Sequence, residues 1–166
     1  MRLTQQVSLV AATVSTGLMA GLFAAFAYAV MPALRTVDDQ TFVEAMQRIN
    51  VTIVNGWFML GFLGAPVFAA VSAVLAWRGA GRPALPWIVC GFALYVVMFI
   101  VTAAVNVPLN DTLAAAGEPG QIADLAAVRG RFESTWVAWN SVRALANTAA
   151  FGCLCWALIV VGRSTG

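Results

Sequence analysis

The sequence contains no histidine and no lysine, and only 10% of its 166 residues are charged. Soluble domains carry about 25% charged residues, so the scarcity of charge argues against a soluble protein. Without histidine the chain has no Ser-His-Asp triad, and it lacks the ligand sets of haem, copper and non-haem iron sites. The nine arginines are scattered along the chain and form no basic tract. We therefore expect no bound metal or cofactor and no nucleic-acid partner.

Cysteine is scarce as well. The three cysteines, Cys90, Cys153 and Cys155, all lie inside apolar runs, and a Cys-x-x-Cys redox motif is missing. Cys153 and Cys155 are two residues apart, so a helix would point their thiols to nearly opposite sides. A phosphate-binding glycine loop is also missing. We expect the three cysteines to act as small apolar packing residues.

Long hydrophobic runs are what the chain has in abundance. Hydrophobic residues make up 61% of the sequence, and the mean hydropathy is +0.87. About 20 apolar residues suffice for a helix to cross a bilayer. Runs of this length lie at about residues 7–30, 51–77, 87–105 and 142–161. We predict an all-α fold, an integral membrane four-helix bundle, formed by a single domain of residues 1–166 surrounded by membrane lipid.

The placement of arginine predicts the orientation of this bundle. Arg2, Arg78, Arg82 and Arg163 lie beside the hydrophobic runs with no acidic residue near them. Four helices place these short segments on one side of the membrane, and the other side has five arginines spread over longer segments. Because short cytoplasmic segments are enriched in arginine, we predict a multi-pass plasma-membrane protein with both termini in the cytoplasm.

Two connecting segments on the opposite, outer side are amphipathic. Asp38 and Asp39 precede apolar residues at helical spacing, which is typical of a capped helix, and residues 120–139 show a similar stripe. We expect both segments to lie on the outer end of the bundle. The two halves of the chain also share the order span, proline, amphipathic segment, span, with Pro32 and Pro108 in corresponding places. A duplication and two unrelated prolines that end helices both account for this order.

Polar residues align on one face of several predicted spans, at the same outer depth. On the fourth span, one face has Trp136, Asn140, Arg143 and Asn147, with Trp139 beside it. On the second span, one face has Arg48, Thr52, Asn55 and Met59, with Asn50 and Trp57 nearby. The third span ends with Thr102, Asn106 and Asn110, and the first contributes Tyr28. Because polar side chains in spans face the bundle interior, this pattern predicts a shared polar mouth. Helix capping, snorkelling and pairing with Glu44 or Glu133 are the structural alternative.

An oxygenase that needs no metal or flavin is compatible with such a mouth. A substrate with an acidic C–H beside a fused aromatic carbonyl can lose a proton, and the resulting enolate can pass an electron to O2. The protein then has to bind a flat apolar ring system, stabilise the oxyanion with Arg or Asn donors and exclude water. Tyr28, Glu133 and a water molecule held by asparagine are the candidate proton acceptors.

Three motifs carry a resemblance to a known family. They are Gly21-Leu22-Phe23-Ala24-Ala25-Phe26 leading to Met31-Pro32-Ala33-Leu34, the block Asn106-Val107-Pro108-Leu109-Asn110, and Trp136 through Trp139-Asn140 to Arg143. With the four-span layout, they resemble the anthrone oxygenase-like family of membrane proteins over nearly the whole chain. The resemblance implies a bacterial member, in a bacterial plasma membrane. Most bacterial members have no assigned activity, whereas fungal members oxidise anthrones to anthraquinones in polyketide synthesis, often with a histidine that is missing here.

The resemblance implies functional roles for Asn106, Asn110, Trp139, Asn140 and Arg143. We expect Arg143 and Asn140 to hold the oxyanion of an apolar aromatic substrate, and Asn106 and Asn110 to orient its ring hydroxyls. The expected substrate-binding residues are Trp136 and Trp139, which would stack on the rings, together with Tyr28, Arg48, Asn55 and Trp57.

The leading hypothesis is therefore a cofactor-independent monooxygenase that acts on a polycyclic phenolic substrate. The alternative is a non-catalytic membrane protein that binds a lipid or quinone-like ligand or serves as a partner subunit, so whether the chain is an enzyme stays open. A transporter ranks last because the inner half has no polar stripe. Gly17 and Gly21 allow close helix contact, which would serve either a homo-oligomer or packing within the bundle.

Overall fold

The computed structural model describes residues 3–79 and 81–163, and the regular structure of these residues is helical. The helices are α1 (Leu3–Ala25), α2 (Met31–Leu34), α3 (Asp39–Thr52), α4 (Gly56–Trp77), α5 (Leu85–Val101), α6 (Val107–Ala115) and α7 (Leu125–Arg163). Short 3-10 turns at Arg82–Ala84 and Pro119–Gln121 lie in the loops. The predicted all-α fold is confirmed.

Four helical segments are long and apolar enough to cross a membrane, which agrees with the predicted multi-pass layout. They are Leu3–Leu34, Gly56–Trp77, Arg82–Ala115 and Leu125–Arg163. Three of them extend beyond the predicted runs, because backbone hydrogen bonding continues past the last apolar residue into polar sequence. The second begins at Gly56 instead of residue 51, because Asn55 caps a new helix there.

Asn55 ends one helix and starts the next. Its side-chain oxygen accepts hydrogen bonds from the backbone N–H groups of Trp57 and Phe58 at 3.0 and 3.1 Å, and its amide donates to the carbonyl of Thr52 at 3.1 Å. This is the capping arrangement that satisfies the free N–H groups of a new helix. Residues 48, 52, 55 and 59 were predicted to share one helix face, but they are divided between α3 and α4.

The bundle has two distinct ends. α1 packs between α4 and α7, α5 packs mainly on α7, and the interface between α4 and α5 is smaller. We call the end that contains Leu3, the 3-10 turn Arg82–Ala84 and Arg163 the terminal end. The opposite end carries α2, α3 and α6, and we call it the α3 end. The predicted lipid environment fits these helices, because many large apolar side chains face outward.

Small residues bring the helices together in the middle of the bundle and toward its terminal end. A Cβ atom on Gly91 of α5 would lie 3.1 Å from the carbonyl oxygen of Ala150 in α7, and one on Gly17 of α1 would lie 2.8 Å from the Phe151 ring. Gly17 therefore serves packing within the chain, whereas Gly21 has open space around it. The buried apolar core of the terminal end consists of Leu9, Ala12, Ala69, Ala76, Ala84, Ile88, Leu154, Ala157 and Val161.

The amphipathic helix α3 forms as predicted from Asp38 and Asp39. Asp38 caps it by accepting from the backbone N–H of Thr41 at 3.0 Å, and the pKa of its carboxyl is lowered by the hydrogen bonds from Thr41. The apolar face of α3 is buried against α7 and α6. Arg129 of α7 fixes the corner before α3, because its guanidinium bonds the carbonyl of Val37 at 2.9 Å and Asp39 at 3.0 Å.

The second amphipathic segment, predicted at residues 120–139, is not a separate element. Asp124 accepts a hydrogen bond from the backbone N–H of Ala127 at 2.9 Å, and a single helix of 39 residues then runs from Leu125 to Arg163. No proline interrupts this stretch, and its isolated glycines are too weak as breakers to end a helix. The apolar stripe at residues 125–139 is therefore the first part of the helix that carries the fourth span.

Two π-helical turns occupy corresponding places in the two halves. Phe26–Val30 joins α1 to α2, and Thr102–Asn106 joins α5 to α6. The N–H groups of Met31 and Val107 each donate to the carbonyl five residues earlier, and a proline follows directly in each case. The halves thus share a backbone feature in addition to the two prolines. Single π turns inside helices are frequent at functional sites.

Candidate functional site

A cavity of about 360 Å³ lies at the α3 end, among α1, α3, α4, α6 and α7. This volume falls in the range of about 300–1,000 Å³ that is typical of small-molecule sites. Its wall is mainly apolar and aromatic, formed by Phe23, Phe26, Ile49, Ile53, Val54, Phe58, Met59, Phe62, Val107 and Trp136. Its polar lining residues are Asn50, Thr102, Asn110 and Arg143. A few polar groups in an apolar wall are what orients a ligand of mixed character.

Arg143 places a buried guanidinium in this wall. The residue is only 5% exposed, and its charged group lies 4.6 Å from the centroid of the Phe23 ring and 5.2 Å from that of Trp136. Within residues 3–79 and 81–163, no carboxylate forms an ion pair with it. Its Nε has no hydrogen-bond partner among these residues. Because a buried charge is costly unless it is paired, the cavity favours an anionic group on its ligand.

Asn140 lies behind Arg143 and positions it. The side-chain oxygen accepts from Arg143 Nη2 at 2.9 Å, and the amide donates to the carbonyl of Phe23 in α1 at 3.1 Å. Asn140 is fully buried and does not line the cavity. The expectation that it holds the oxyanion directly is therefore corrected: its oxygen already accepts from Arg143, and its amide bonds α1.

Asn106 and Asn110 hold Trp136. The indole N–H of Trp136 donates to the side-chain oxygen of Asn110 at 2.8 Å, and the Asn106 amide donates to the carbonyl of Trp136 at 3.3 Å. Asn110 lines the cavity, whereas Asn106 is fully buried beside it with an unpartnered side-chain oxygen. The Trp136 ring is also stacked with Phe132 at a centroid distance of 6.0 Å. These contacts fix the orientation of the indole at the cavity wall.

The facing wall is a stack of phenylalanines that sequence reasoning missed. The rings of Phe58 and Phe62 stack at 5.2 Å and 16°, and those of Phe62 and Phe99 at 5.1 Å and 22°. Tyr95 steadies this wall by donating its hydroxyl to the carbonyl of Phe62 at 2.8 Å. The spacing of Phe58 and Phe62, one helical turn apart, is the signal that could have indicated it. The wall offers a flat surface to a planar ligand.

Helix α3 supplies the roof of the cavity, and its polar group there is Asn50, which the sequence placed beside the predicted polar face of the second span. Asn50 lines the cavity with a buried side-chain amide that has no partner among the described residues. Val54, 63% exposed, and Val107 and Met59, which are less exposed, line the cavity and also reach the outer surface of the bundle. The cavity therefore reaches the outer surface of the bundle beside α4 and α6.

Several predicted substrate-binding residues lie outside the cavity. Tyr28 is 73% exposed and Trp57 is 85% exposed, so both side chains face outward. Arg48 is exposed and forms an ion pair with Glu44 at 2.6 Å. Trp139 is partly exposed, because it precedes Asn140 and so projects about 100° away around the helix. Asn55 caps α4, as described above. Of the residues predicted to bind substrate or act in catalysis, the structure thus brings together Arg143, Asn140, Asn106, Asn110 and Trp136. Asn50, Met59 and Thr102 of the predicted polar mouth line the cavity as well.

A family model described as anthrone oxygenase matches residues 56–153. No curated protein and no solved structure matches the chain. The matched region contains α4, α5, α6 and most of α7, and therefore Arg143 and the three asparagines around it. Since the match covers more than half of the 166 residues, the chain belongs to the anthrone oxygenase family.

Proposed function

We propose that the chain is a cofactor-independent oxygenase that oxidises a flat polycyclic phenolic substrate of the anthrone type with O2. The observation that carries this proposal is Arg143, a buried cation that lines an aromatic cavity and forms no ion pair with a carboxylate of residues 3–79 and 81–163. An anthrone is planar and largely apolar, and it becomes an anion when its central CH2 group loses a proton. The cavity offers stacking surfaces for the rings and one positive charge for the anion.

The chemistry needs no group beyond the substrate and O2. The CH2 carbon gives up one proton, and the negative charge moves to the carbonyl oxygen, where a free N–H of Arg143 stabilises it. The carbanion passes one electron to O2, and the two radicals combine into a carbon-bound peroxide. The peroxide anion takes up one proton, which replaces the proton given up at the start. Loss of water from the resulting hydroperoxide breaks the O–O bond and the second C–H bond. One oxygen atom ends in the new ketone and the other in water.

A water molecule held by asparagine is the proton acceptor in this proposal. Tyr28 faces away from the cavity, and Glu133 bonds Arg129 at 2.7 Å and does not line the cavity. Asn50 lines the cavity with an unpartnered amide that a water molecule fits. Because Arg143 stabilises the enolate, the substrate's C–H becomes more acidic, and a weak base then suffices.

Substrate access follows from the cavity's opening. The side opening at Val54, Met59 and Val107 faces the lipid region, so an apolar substrate reaches the site through the bilayer. With both termini in the cytoplasm of a bacterial cell, this opening lies in the outer leaflet of the plasma membrane. Membrane lipid and an apolar aromatic small molecule are the proposed partners. Self-association through Gly21 stays a prediction.

The decisive experiment measures anthrone oxidation by the full chain in lipid nanodiscs under O2. Arg143→Ala is expected to lower the rate roughly 100-fold or more, the loss that follows removal of one oxyanion donor. The matched control is Arg48→Ala, which removes an exposed arginine outside the cavity and is expected to keep the rate. Equal conversion by the wild type and Arg143→Ala would rule out the proposal.

A second function has support from the same cavity. Its lateral opening and apolar wall also suit a protein that binds a lipid-soluble quinone-like ligand without transforming it. Measurements of ligand binding and O2 consumption on one sample distinguish the two functions. Saturable binding of an anthraquinone that depends on Arg143, with no O2 consumed when an anthrone is supplied, would favour the binding protein over the oxygenase.

A further inference from the structure

Two cysteines from different helices meet near the terminal end. The thiol of Cys153 in α7 donates a hydrogen bond to the sulfur of Cys90 in α5 at 3.7 Å. Both thiols are free, and so is Cys155, which has no thiol partner among the described residues. To form an S–S bond, the two sulfurs have to close from 3.7 Å to about 2.0 Å.

The backbone around the pair explains why the thiols meet. Gly91, next to Cys90, lets α5 approach α7 so closely that a Cβ at this position would lie 3.1 Å from the carbonyl oxygen of Ala150. Trp87 and Trp156, each three residues from one of the cysteines, are in edge-to-face contact at 6.0 Å on the same seam. The seam between α5 and α7 is thus fixed on both sides of the thiols, and the sulfurs are held near each other.

The pair is also accessible from outside the bundle. Cys90 is exposed and Cys153 is half-buried. Because both lie within helices long enough to span a membrane, a reagent has to arrive through lipid. The site is separate from the cavity, whose lining lies beyond the opposite end of α5 at Thr102 and Val107.

We propose that Cys90 and Cys153 form a redox-active dithiol that a lipid-soluble, fully substituted benzoquinone oxidises to an interhelical disulfide. Two S–H bonds break and one S–S bond forms. The two protons and two electrons pass to the quinone, which becomes the quinol. Full substitution of the quinone ring leaves no position for addition of a thiol, so oxidation is the available route. This proposal does not rest on the oxygenase activity.

The test uses the full chain in nanodiscs, treated anaerobically with a short-chain, fully substituted benzoquinone. We expect the intact mass to fall by about 2 Da, free thiols after unfolding to fall from three to one, and one quinol to form per chain. Cys155→Ser is the matched control and is expected to react fully, with no thiol left. Cys90→Ser and Cys153→Ser are each expected to keep both remaining thiols.

Each other outcome contradicts the proposal. Three free thiols after treatment would show that the pair does not react, and a mass gain would show addition instead of oxidation. If Cys155→Ser does not react, Cys155 takes part in the disulfide and the proposed pair is wrong. A disulfide-linked dimer on a non-reducing gel would show that the bond joins two chains. Thermal unfolding of each variant identifies one that fails to fold, and peptide mapping of the treated wild type then decides which cysteines are joined.

Discussion

The two ends of the bundle differ in how many of their buried polar groups have a hydrogen-bond partner. At the terminal end, the hydroxyls of Ser8 and Thr13 donate to carbonyls three and four residues back in their own helix, and Ser72 donates to Ser8 at 2.9 Å. Toward the α3 end, Arg143 Nε, the Asn106 oxygen and both polar atoms of Asn147 are buried without partners among the described residues. One end satisfies its polar groups locally, and the other leaves several unsatisfied.

This difference has an energetic meaning. Unsatisfied buried polar groups each cost about 1–3 kcal/mol, and a charged group costs more. The terminal end carries almost none of this cost, although Gln5 Nε2 is one unpartnered atom there. A protein that tolerates such a concentration of polar groups in one region is expected to use it for binding or chemistry. The following changes test whether function lies at the α3 end and packing stability at the terminal end.

The largest expected effect is a separation of activity from stability at Arg143. Arg143→Met keeps the length of the side chain and removes the charge, so we expect anthrone oxidation to fall roughly 100-fold, about 2.7 kcal/mol of transition-state stabilisation. The thermal unfolding temperature is expected to stay equal or to rise, because replacing an unpaired buried charge by an apolar side chain removes a desolvation cost. A variant that loses stability and activity together would show that Arg143 is mainly structural.

At the terminal end we expect the opposite pattern. Gly91→Val places side-chain atoms against the carbonyl of Ala150 and the Leu154 side chain, so α5 has to move away from α7. Overpacking of this kind costs about 1–3 kcal/mol. Ligand binding at the cavity, measured once the variant is shown to be folded, is expected to change little. Gly21→Val is the control, since nothing lies within 4 Å of a Cβ there. If Gly91→Val and Gly21→Val destabilise the protein equally, the close contact of α5 with α7 at Gly91 is not the cause of the loss.

Hydrophobic runs and helical spacing sufficed to predict the four spans, the burial of α3 and the shared face of Trp136, Asn140, Arg143 and Asn147. They failed where the backbone departs from a regular helix. The break at Asn55 rotates α3 away from α4, so spacing counted across it has no meaning, and Arg48 is placed outside the cavity. Tyr28 lies in a π turn, where an extra residue per turn changes which way side chains point.

The contents of the cavity wall were harder to predict than its polar anchors. Phe62 of this wall is an ordinary member of an apolar run, and its stacking on Phe99 depends on the contact between α4 and α5, which periodicity does not give. The pairing of Cys90 with Cys153 was missed for the same reason, since only Cys153 and Cys155 are close in sequence. Contacts between helices distant in sequence need the three-dimensional arrangement.

A smaller effect is expected where α7 holds the roof of the cavity. Arg129→Met removes the bonds to Val37, Asp39 and Glu133 that fix the corner before α3. We expect a stability loss of about 1–2 kcal/mol, and weaker ligand binding because α3 supplies the roof. Hydrogen exchange over residues 35–55 is expected to quicken. Arg35→Met is the matched control, since Arg35 is exposed and its ion pair with Glu133 is long at 3.6 Å. A similar effect of both variants would contradict this role.

The smallest expected effect is a pH dependence of the first turn of α3, the helix that supplies the roof of the cavity. Hydrogen bonds from the backbone and side chain of Thr41 lower the pKa of Asp38 below its ordinary value of 3.8. A carboxyl whose pKa is lower in the folded state stabilises the fold above its unfolded pKa, and this contribution is lost as the pH falls through the folded value. Protection of the amides at residues 41–43 is therefore expected to weaken below about pH 4.

Asp38→Asn separates this cap from the other carboxylates. Its side-chain oxygen can accept the same backbone hydrogen bond and does not titrate, so the amide protection lost in the wild type at low pH is expected to persist in the variant. Hydrogen exchange corrected for its intrinsic pH dependence makes the comparison at pH 5 and pH 3. If both proteins lose protection equally, the cap at Asp38 contributes nothing to the pH response of α3.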